Sequence, residues 1–182
     1  VVDDGSGAWV AVTGGNADQD GTGLAFGTDS NAISAMAGYD RRFGDGGRIG
    51  LVGGYVAAKT TADSQLVQSY DMESRGFFGG IYGRQTIGGA FLDYALTGGG
   101  LANSDRRFVN DNLAHLGQAH ADADYNSYWL SPELALGTVI SLPHSAELIP
   151  SVRARYAGQW IDGYKESGSS ANAKVDSRQI GV

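Results

Sequence analysis

Six ionisable side chains fall where an alternating strand pattern would place them on one face: Asp40, Arg84, Asp93, Glu133, Arg153 and Arg155. Gathered on such a face, carboxylates and guanidiniums offset one another's desolvation by pairing. Glu133 is placed to reach Arg153 or Arg155 across a short turn. This is the chemistry of a polar lining, not of a catalytic set. His115 and His120 flank an Ala-rich stretch with Asp111, Asp122 and Asp124 nearby, the one arrangement that suggests a metal. Their five-residue spacing shares a helical face poorly, however, and no carboxylate follows in the zincin pattern. His144 sits in a short turn and is read as solvated. Without cysteine there is no disulfide, thiolate metal site or C-x-x-C redox pair. No metal or other cofactor is expected.

The elements that would position these residues are strands. Period-2 alternation gives eight candidates, at about residues 8–14, 32–43, 48–58, 75–85, 90–97, 127–141, 148–160 and 177–182. In 148–160, Leu148, Pro150, Val152, Ala154, Tyr156 and Trp160 share one face, and Ser151, Arg153, Arg155 and Gln159 share the other. A helix would mix the two sets. Ala90, Leu92, Tyr94 and Leu96 likewise oppose Phe91, Asp93, Ala95 and Thr97, while Ile33, Ala35, Ala37 and Tyr39 oppose Ser34, Met36 and Asp40. Tyr128, Leu130, Leu134, Leu136 and Ile140 oppose Ser131, Glu133, Ala135 and Gly137. Segment 75–85 alternates least clearly, so Arg84 is the least firmly placed of the six.

The connections alternate in length. Gly44–Gly47, Thr86–Gly89 and Leu142–Glu147 are short, whereas Gly15–Asn31, Lys59–Ser74, Gly98–Asn126 and Ile161–Asp176 are long. Strict long–short alternation is a property of outer-membrane β-barrels, with their short periplasmic turns and long outer connections. An eleven-residue strand such as 48–58 rises about 36 Å and, tilted by ~40°, spans roughly 27 Å, the height of an apolar band. The expected fold is therefore all-β, an antiparallel up-and-down transmembrane barrel forming one domain over 1–182. Trp9, Tyr39, Tyr82, Tyr128, Trp129 and Trp160, near strand ends, are expected to form interfacial girdles or to serve as core aromatics.

Composition agrees. The 182 residues include 29 Gly and only 3 Pro, 18% charged residues and 10% aromatics. A net charge of −7 with scattered basic residues argues against nucleic acid as a partner. No apolar run reaches the roughly 18 to 20 residues of a membrane-spanning helix, and the mean hydropathy of −0.20 does not bear on a barrel, whose alternate residues face inward. The opening Val1-Val2-Asp3-Asp4 does not read as a basic-then-apolar signal segment. A hydrolase in the barrel wall would need a His beside a nucleophile or carboxylate at the outer rim, and there is neither that nor a G-x-S-x-G elbow, so no enzyme is expected. Asp105-Arg106-Arg107 is read either as a lipopolysaccharide contact or as a solvated rim.

The runs Gly7-Ala8-Trp9-Val10, Gly38-Tyr39-Asp40 and Ile49-Gly50-Leu51-Val52-Gly53-Gly54-Tyr55 resemble the opening of the autotransporter β-domain. Gly79-Gly80-Ile81-Tyr82, Phe91-Leu92-Asp93, Ser131-Pro132-Glu133-Leu134 and Leu148-Ile149-Pro150 continue the likeness in the same order over nearly the whole chain. The resemblance implies a twelve-stranded barrel in the outer membrane of a Gram-negative bacterium, plugged by a linker helix. Its role would be type V secretion, exporting and anchoring an N-terminal passenger. The implied partners are outer-membrane lipids, the passenger and linker helix, and the barrel assembly machinery. Measured against that pattern, about four strands and the terminal aromatic residue are expected to lie beyond this chain. Geometry concurs, because eight strands leave a radius of roughly 8 Å, whereas twelve, at roughly 12 Å, admit a helix about 10 Å across. The six charged residues would either contact the linker or passenger or form a purely structural network. Two other readings stand beside this one: a small closed barrel acting as an adhesin through its outer connections, and a soluble calyx.

Overall fold

The computed structural model describes residues 5–21, 27–63, 69–143 and 146–181, so the readings of the N-terminal four residues, His144 and Val182 lie outside it. Six long strands follow one another: β1 (Gly7–Gln19), β2 (Gly27–Phe43), β3 (Gly47–Asp63), β4 (Ser69–Ile87), β5 (Ala90–Asn110) and β6 (Gln118–Thr138). A hairpin of β7 (Ile140–Leu142) and β8 (Ala146–Leu148) leads to β9 (Ser151–Arg155), β10 (Gly158–Ile161), β11 (Tyr164–Lys165), β12 (Lys174–Val175) and β13 (Arg178–Gly181). The main sheet runs β1-β2-β3-β4-β5-β6-β10-β13, with β9 also on β6, and every pairing in it is antiparallel. β1 and β13 form its two edges.

The seventh strand is interrupted for a local reason. β9 and β10 meet β6 in one continuous register, and the Tyr156 amide donates to the Pro132 carbonyl at 3.1 Å between them. Pro132 has no N–H to return, so the ladder loses a bond at this point. Strands β10 and β13, and beyond them β11 and β12, likewise keep a single register, so 161–176 continues their hairpin.

Direct partners across the ladder share a face, so the register sorts every side chain in the sheet. One row on the apolar face runs Val12, Ala35, Tyr55, Phe77, Gly100, Tyr128, Trp160. This face is bare: Val10 is 84% exposed, Phe77 73% and Val152 78%. Leaving a large apolar side chain in water forgoes about 1.5–3 kcal/mol, so a sheet that presents rows of them is built for lipid. Tyr39, Tyr128 and Trp160 lie on this face, whereas Trp9, Tyr82 and Trp129 lie on the opposite one, which corrects the expectation that all six aromatics share one role.

The short turns fall where expected, at residues 44–46 and 88–89. The long connections do not. Much of Gly15–Asn31, Lys59–Ser74 and Gly98–Asn126 is strand, since β5 and β6 have 21 residues each and stay paired from Ala90–Thr138 to Asn110–Gln118. The Ala-rich stretch enters β6, with only a short 3-10 turn at His115–Gly117 before it. At ~3.3 Å per residue and ~40° tilt these strands rise roughly 53 Å, about twice an apolar band. Their apolar face accordingly stops near Gly100 and Tyr128 and continues as Ser104, Arg106, Asp122 and Asp124. In hydrogen exchange, amides 102–110 and 118–126 should therefore be protected as strand amides are; exchange at loop rates would refute the extension.

Candidate functional site

On the polar face, Asp40 lies opposite Gly50, and the row continues through Tyr82, Ala95, Glu133 and Arg155. The next row toward the short turns is Arg42, Arg48, Arg84, Asp93, Ala135, Arg153. All six charged residues singled out in the sequence thus stand on one face, in two adjacent rows, Arg84 included.

They are brought together in three groups. Arg84 Nε and Nη2 hold Asp93 at 2.5 and 2.8 Å, a bidentate pair, and the guanidinium lies 4.4 Å from the centre of the Phe91 ring. Glu133 accepts from both candidates, Arg153 at 3.1 Å and Arg155 at 2.6 Å. Asp40, 8% exposed, is bound by Arg48 and by the Tyr82 hydroxyl at 2.9 Å. Trp9 Nε1 in turn donates to Tyr82 Oη at 2.6 Å. Sequence reasoning missed Trp9, Arg48 and Tyr82 as members of this last network, which ties four consecutive strands.

Glycine makes that network possible. A Cβ on Gly50 would sit 2.5 Å from Tyr82 Cζ and 2.8 Å from Asp40 Cβ, and one on Gly38 would sit 2.4 Å from the Trp9 indole. The rings lie where side chains would otherwise stand, which is how Tyr82 reaches across β3 to Asp40.

A second polar cluster lies at the far end of the same face, beyond the apolar band. Tyr70 and Tyr125 donate to Asp105 Oδ2 at 2.6 and 3.1 Å, and Asp105, 6% exposed, keeps its Oδ1 buried without a partner among the described residues. Burial, reinforced by this carboxylate, pushes the pKa of both phenols well above the ordinary tyrosine value. Tyr164 stacks on Tyr125 at 4.4 Å, and Glu166 takes Arg107 in two bonds of 2.6 and 3.1 Å. The arrangement depends on one extra residue. Between the Asp162–Asn126 bond and the Ser167–Asp122 pair, the seventh strand is one residue longer than β6, and this bulge turns Tyr164 and Glu166 onto the polar face.

Asp111 fastens the tip of that hairpin. It accepts from the Ser170 hydroxyl at 2.6 Å, the Ser170 amide at 2.7 Å, the Ser169 hydroxyl at 3.1 Å and the Leu113 amide at 2.9 Å. These donors, Ser170 foremost, hold its carboxyl well below the usual carboxylate range. The other acids around the histidines are engaged separately, Asp122 by Arg106 at 2.8 Å and Asp124 by Ser104 at 2.8 Å, while His120 packs on Phe108. Among the described residues no group of three His, Asp or Glu could hold a metal. The patch Asp105-Arg106-Arg107 is not one surface: Asp105 and Arg107 point to the polar face and Arg106 to the other.

An up-and-down antiparallel sheet with one face bare and apolar and the other ion-paired is the wall of a transmembrane β-barrel. The family model "Autotransporter beta-domain" matches residues 8–181. The chain belongs to that family, the outer-membrane barrels of Gram-negative autotransporters. In fold it is similar to the translocator domain of the autotransporter NalP from Neisseria meningitidis, with TM-score 0.75 and 18% identity over 97% of this chain and 58% of that one. This chain therefore spans 58% of that domain's length. The β-domain of the Bordetella autotransporter BrkA aligns at 14% identity, covering 98% of each chain, with TM-score 0.35. The transport unit of AIDA-I from Escherichia coli aligns at 12%, covering 96% of this chain and 76% of that one, with TM-score 0.41. At those scores neither adds support. No curated protein matches the chain.

Two outcomes are expected. Gly50→Leu should destabilise the folded barrel by about 2 kcal/mol through overpacking and loss of the Tyr82–Asp40 bond, measured by urea unfolding in detergent. Gly53→Ala, whose Cβ meets nothing nearer than 3.8 Å, is the comparison, and equal effects would sink the packing argument. For Asp111 the folded value is lowered, so its contribution is full above roughly pH 4 and is lost only as pH falls further. Proteolysis within 168–172 should accordingly be flat from neutral pH to about 4.5 and rise throughout that range in Asp111→Ala. A wild-type rise near pH 6 would contradict this assignment.

Proposed function

We propose that this chain is a single domain of an autotransporter translocator that supports export of an N-terminal passenger and anchors it at the cell surface. The observation that carries the reading is the register. Asp40, Arg84, Asp93, Glu133, Arg153 and Arg155 share the face opposite the exposed apolar rows, which supports the reading that these six line the lumen. Pairing offsets most of these charges, Arg84 with Asp93 and Asp40 with Arg48, while Glu133 is shared by Arg153 and Arg155, and the lining presents hydrogen-bonding edges to an extended or helical polypeptide. The partners are the lipids of the outer membrane, the passenger with its linker helix, and the barrel assembly machinery. The domain is a conduit and anchor with no catalytic role.

The small closed barrel acting as an adhesin is less well supported. It requires the first and last strands to pair, whereas β1 and β13 are the two edges of the sheet. It also requires free outer connections, and among the described residues 98–126 are largely paired strand and 161–176 is a fastened hairpin.

The test uses the full-length protein in a Gram-negative host, with an epitope in the segment preceding this domain. On intact cells the epitope should be open to antibody and external protease while the barrel shows heat-modifiable mobility in the outer-membrane fraction. A folded barrel with the epitope retained in the periplasm would overturn the export reading. In the same assay Glu133→Lys, which sets three like charges together, should lower surface display several-fold.

A further inference from the structure

The apolar face ends in an abrupt chemical border across β1 to β6. Asn16, Asn31, Lys59, Glu73, Ser104 and Asp124 make a continuous polar row on that face. In the row below it, Gly14, Ile33, Ala57, Arg75, Ala102 and Asn126, one charge interrupts an otherwise small and apolar set on the first five strands. The row below that carries Tyr55 and Phe77, packed edge to face at 5.1 Å.

Arg75 stands at this border, while Arg41, on the same face, lies at the opposite end beside the short turn. Among the described residues no carboxylate lies within ion-pair distance of Arg75, whereas Arg106, higher on the same face, is held by Asp122 at 2.8 Å. Arg75 and Lys59 sit on neighbouring strands in diagonal register, within reach of a common ligand. Lys59 meets Glu73 only at 3.5 Å, with more than half of each side chain exposed. Both basic residues line a cleft of about 540 Å³ with Asn16, Asn31, Ile33, Tyr55 and Glu73. Its upper wall offers two cations, amides and the single carboxylate of Glu73, leaving one positive charge in excess, and its lower wall offers an aromatic ring and an aliphatic side chain.

We propose that this cleft is a headgroup site for a phosphorylated lipid of the outer leaflet, with Arg75 and Lys59 on a phosphate and the acyl chain descending over Ile33, Tyr55 and Phe77. The proposal rests on the outer-membrane reading, which sets the short turns in the periplasm and so puts this border at the outer leaflet. Charge complementarity selects the occupant. An unpaired guanidinium at the edge of hydrocarbon calls for an anion that is itself attached to an apolar body, and Arg suits phosphate through paired N–H donors.

The test is flotation and lipid retention with the full-length protein, using phosphatidylcholine vesicles doped either with bisphosphorylated lipid A or with its dephosphorylated form. The wild type should retain the phosphorylated lipid preferentially. Arg75→Gln and Lys59→Gln should each weaken retention about fivefold, Arg75→Lys much less, and Arg106→Gln should change nothing. Equal retention of the two lipids, or unaltered retention in Arg75→Gln, would overturn the headgroup site while leaving the barrel reading intact. Competition by inorganic phosphate at matched concentration would also overturn it, since a free anion would then suffice. Failure to float with any vesicle would remove both readings together.

Discussion

Hydrocarbon offers no partner to a peptide group, so every N–H and C=O that crosses it has to be matched within the wall, and the rest of this structure follows from that demand. Matching by an antiparallel ladder leaves side chains no choice but to alternate, and alternation separates the lipid from the interior one residue at a time. The split between the bare face of Val10, Phe77 and Val152 and the ion-paired face of Asp40 and Glu133 is thus a by-product of backbone chemistry. The same demand explains the cost of Pro132. One ring nitrogen without a hydrogen coincides with the break in the seventh strand, where the Tyr156 amide reaches the Pro132 carbonyl and Pro132 has no N–H to return.

Within those limits the polar face is organised by what glycine leaves out. A glycine in a strand weakens pairing, yet at Gly38 and Gly50 the missing side chain becomes the space in which an indole and a phenol lie against the wall. Tyr82 thereby reaches past its nearest neighbour strand, and a carboxylate on β2 is joined to residues on β1, β3 and β4. The exchange is favourable because backbone hydrogen bonds already hold the strands, so side chains are free to connect strands that share no ladder.

The parts of the chain that contact lipid were legible from the sequence. Segments 90–97 and 148–160 announce their two faces because one face must be apolar, and the six charged residues could be placed together by parity alone. Where the strands leave the membrane that signal stops. Asn103-Ser104-Asp105-Arg106-Arg107 is polar on both faces and looks like a loop, although it is paired residue for residue with 121–125. The network residues were hidden for a different reason. The type of Trp9 or Tyr82 is compatible with either face, and only the cross-strand register, with glycine as the partner, shows which. Tyr164 and Glu166 could not have been placed by counting, since they share parity with Trp160 and one inserted residue sends them to the opposite side.

The continuation of β5 and β6 past the apolar band makes the wall a stiff collar, rising roughly 25 Å above the hydrocarbon when ten residues advance at ~3.3 Å each along a ~40° tilt. Under the proposed export role, a collar of this height would set a stand-off distance between the hydrocarbon and the level at which a polypeptide is released. The reach of an anchored segment would then be fixed partly by the barrel, before any length in the segment itself is counted.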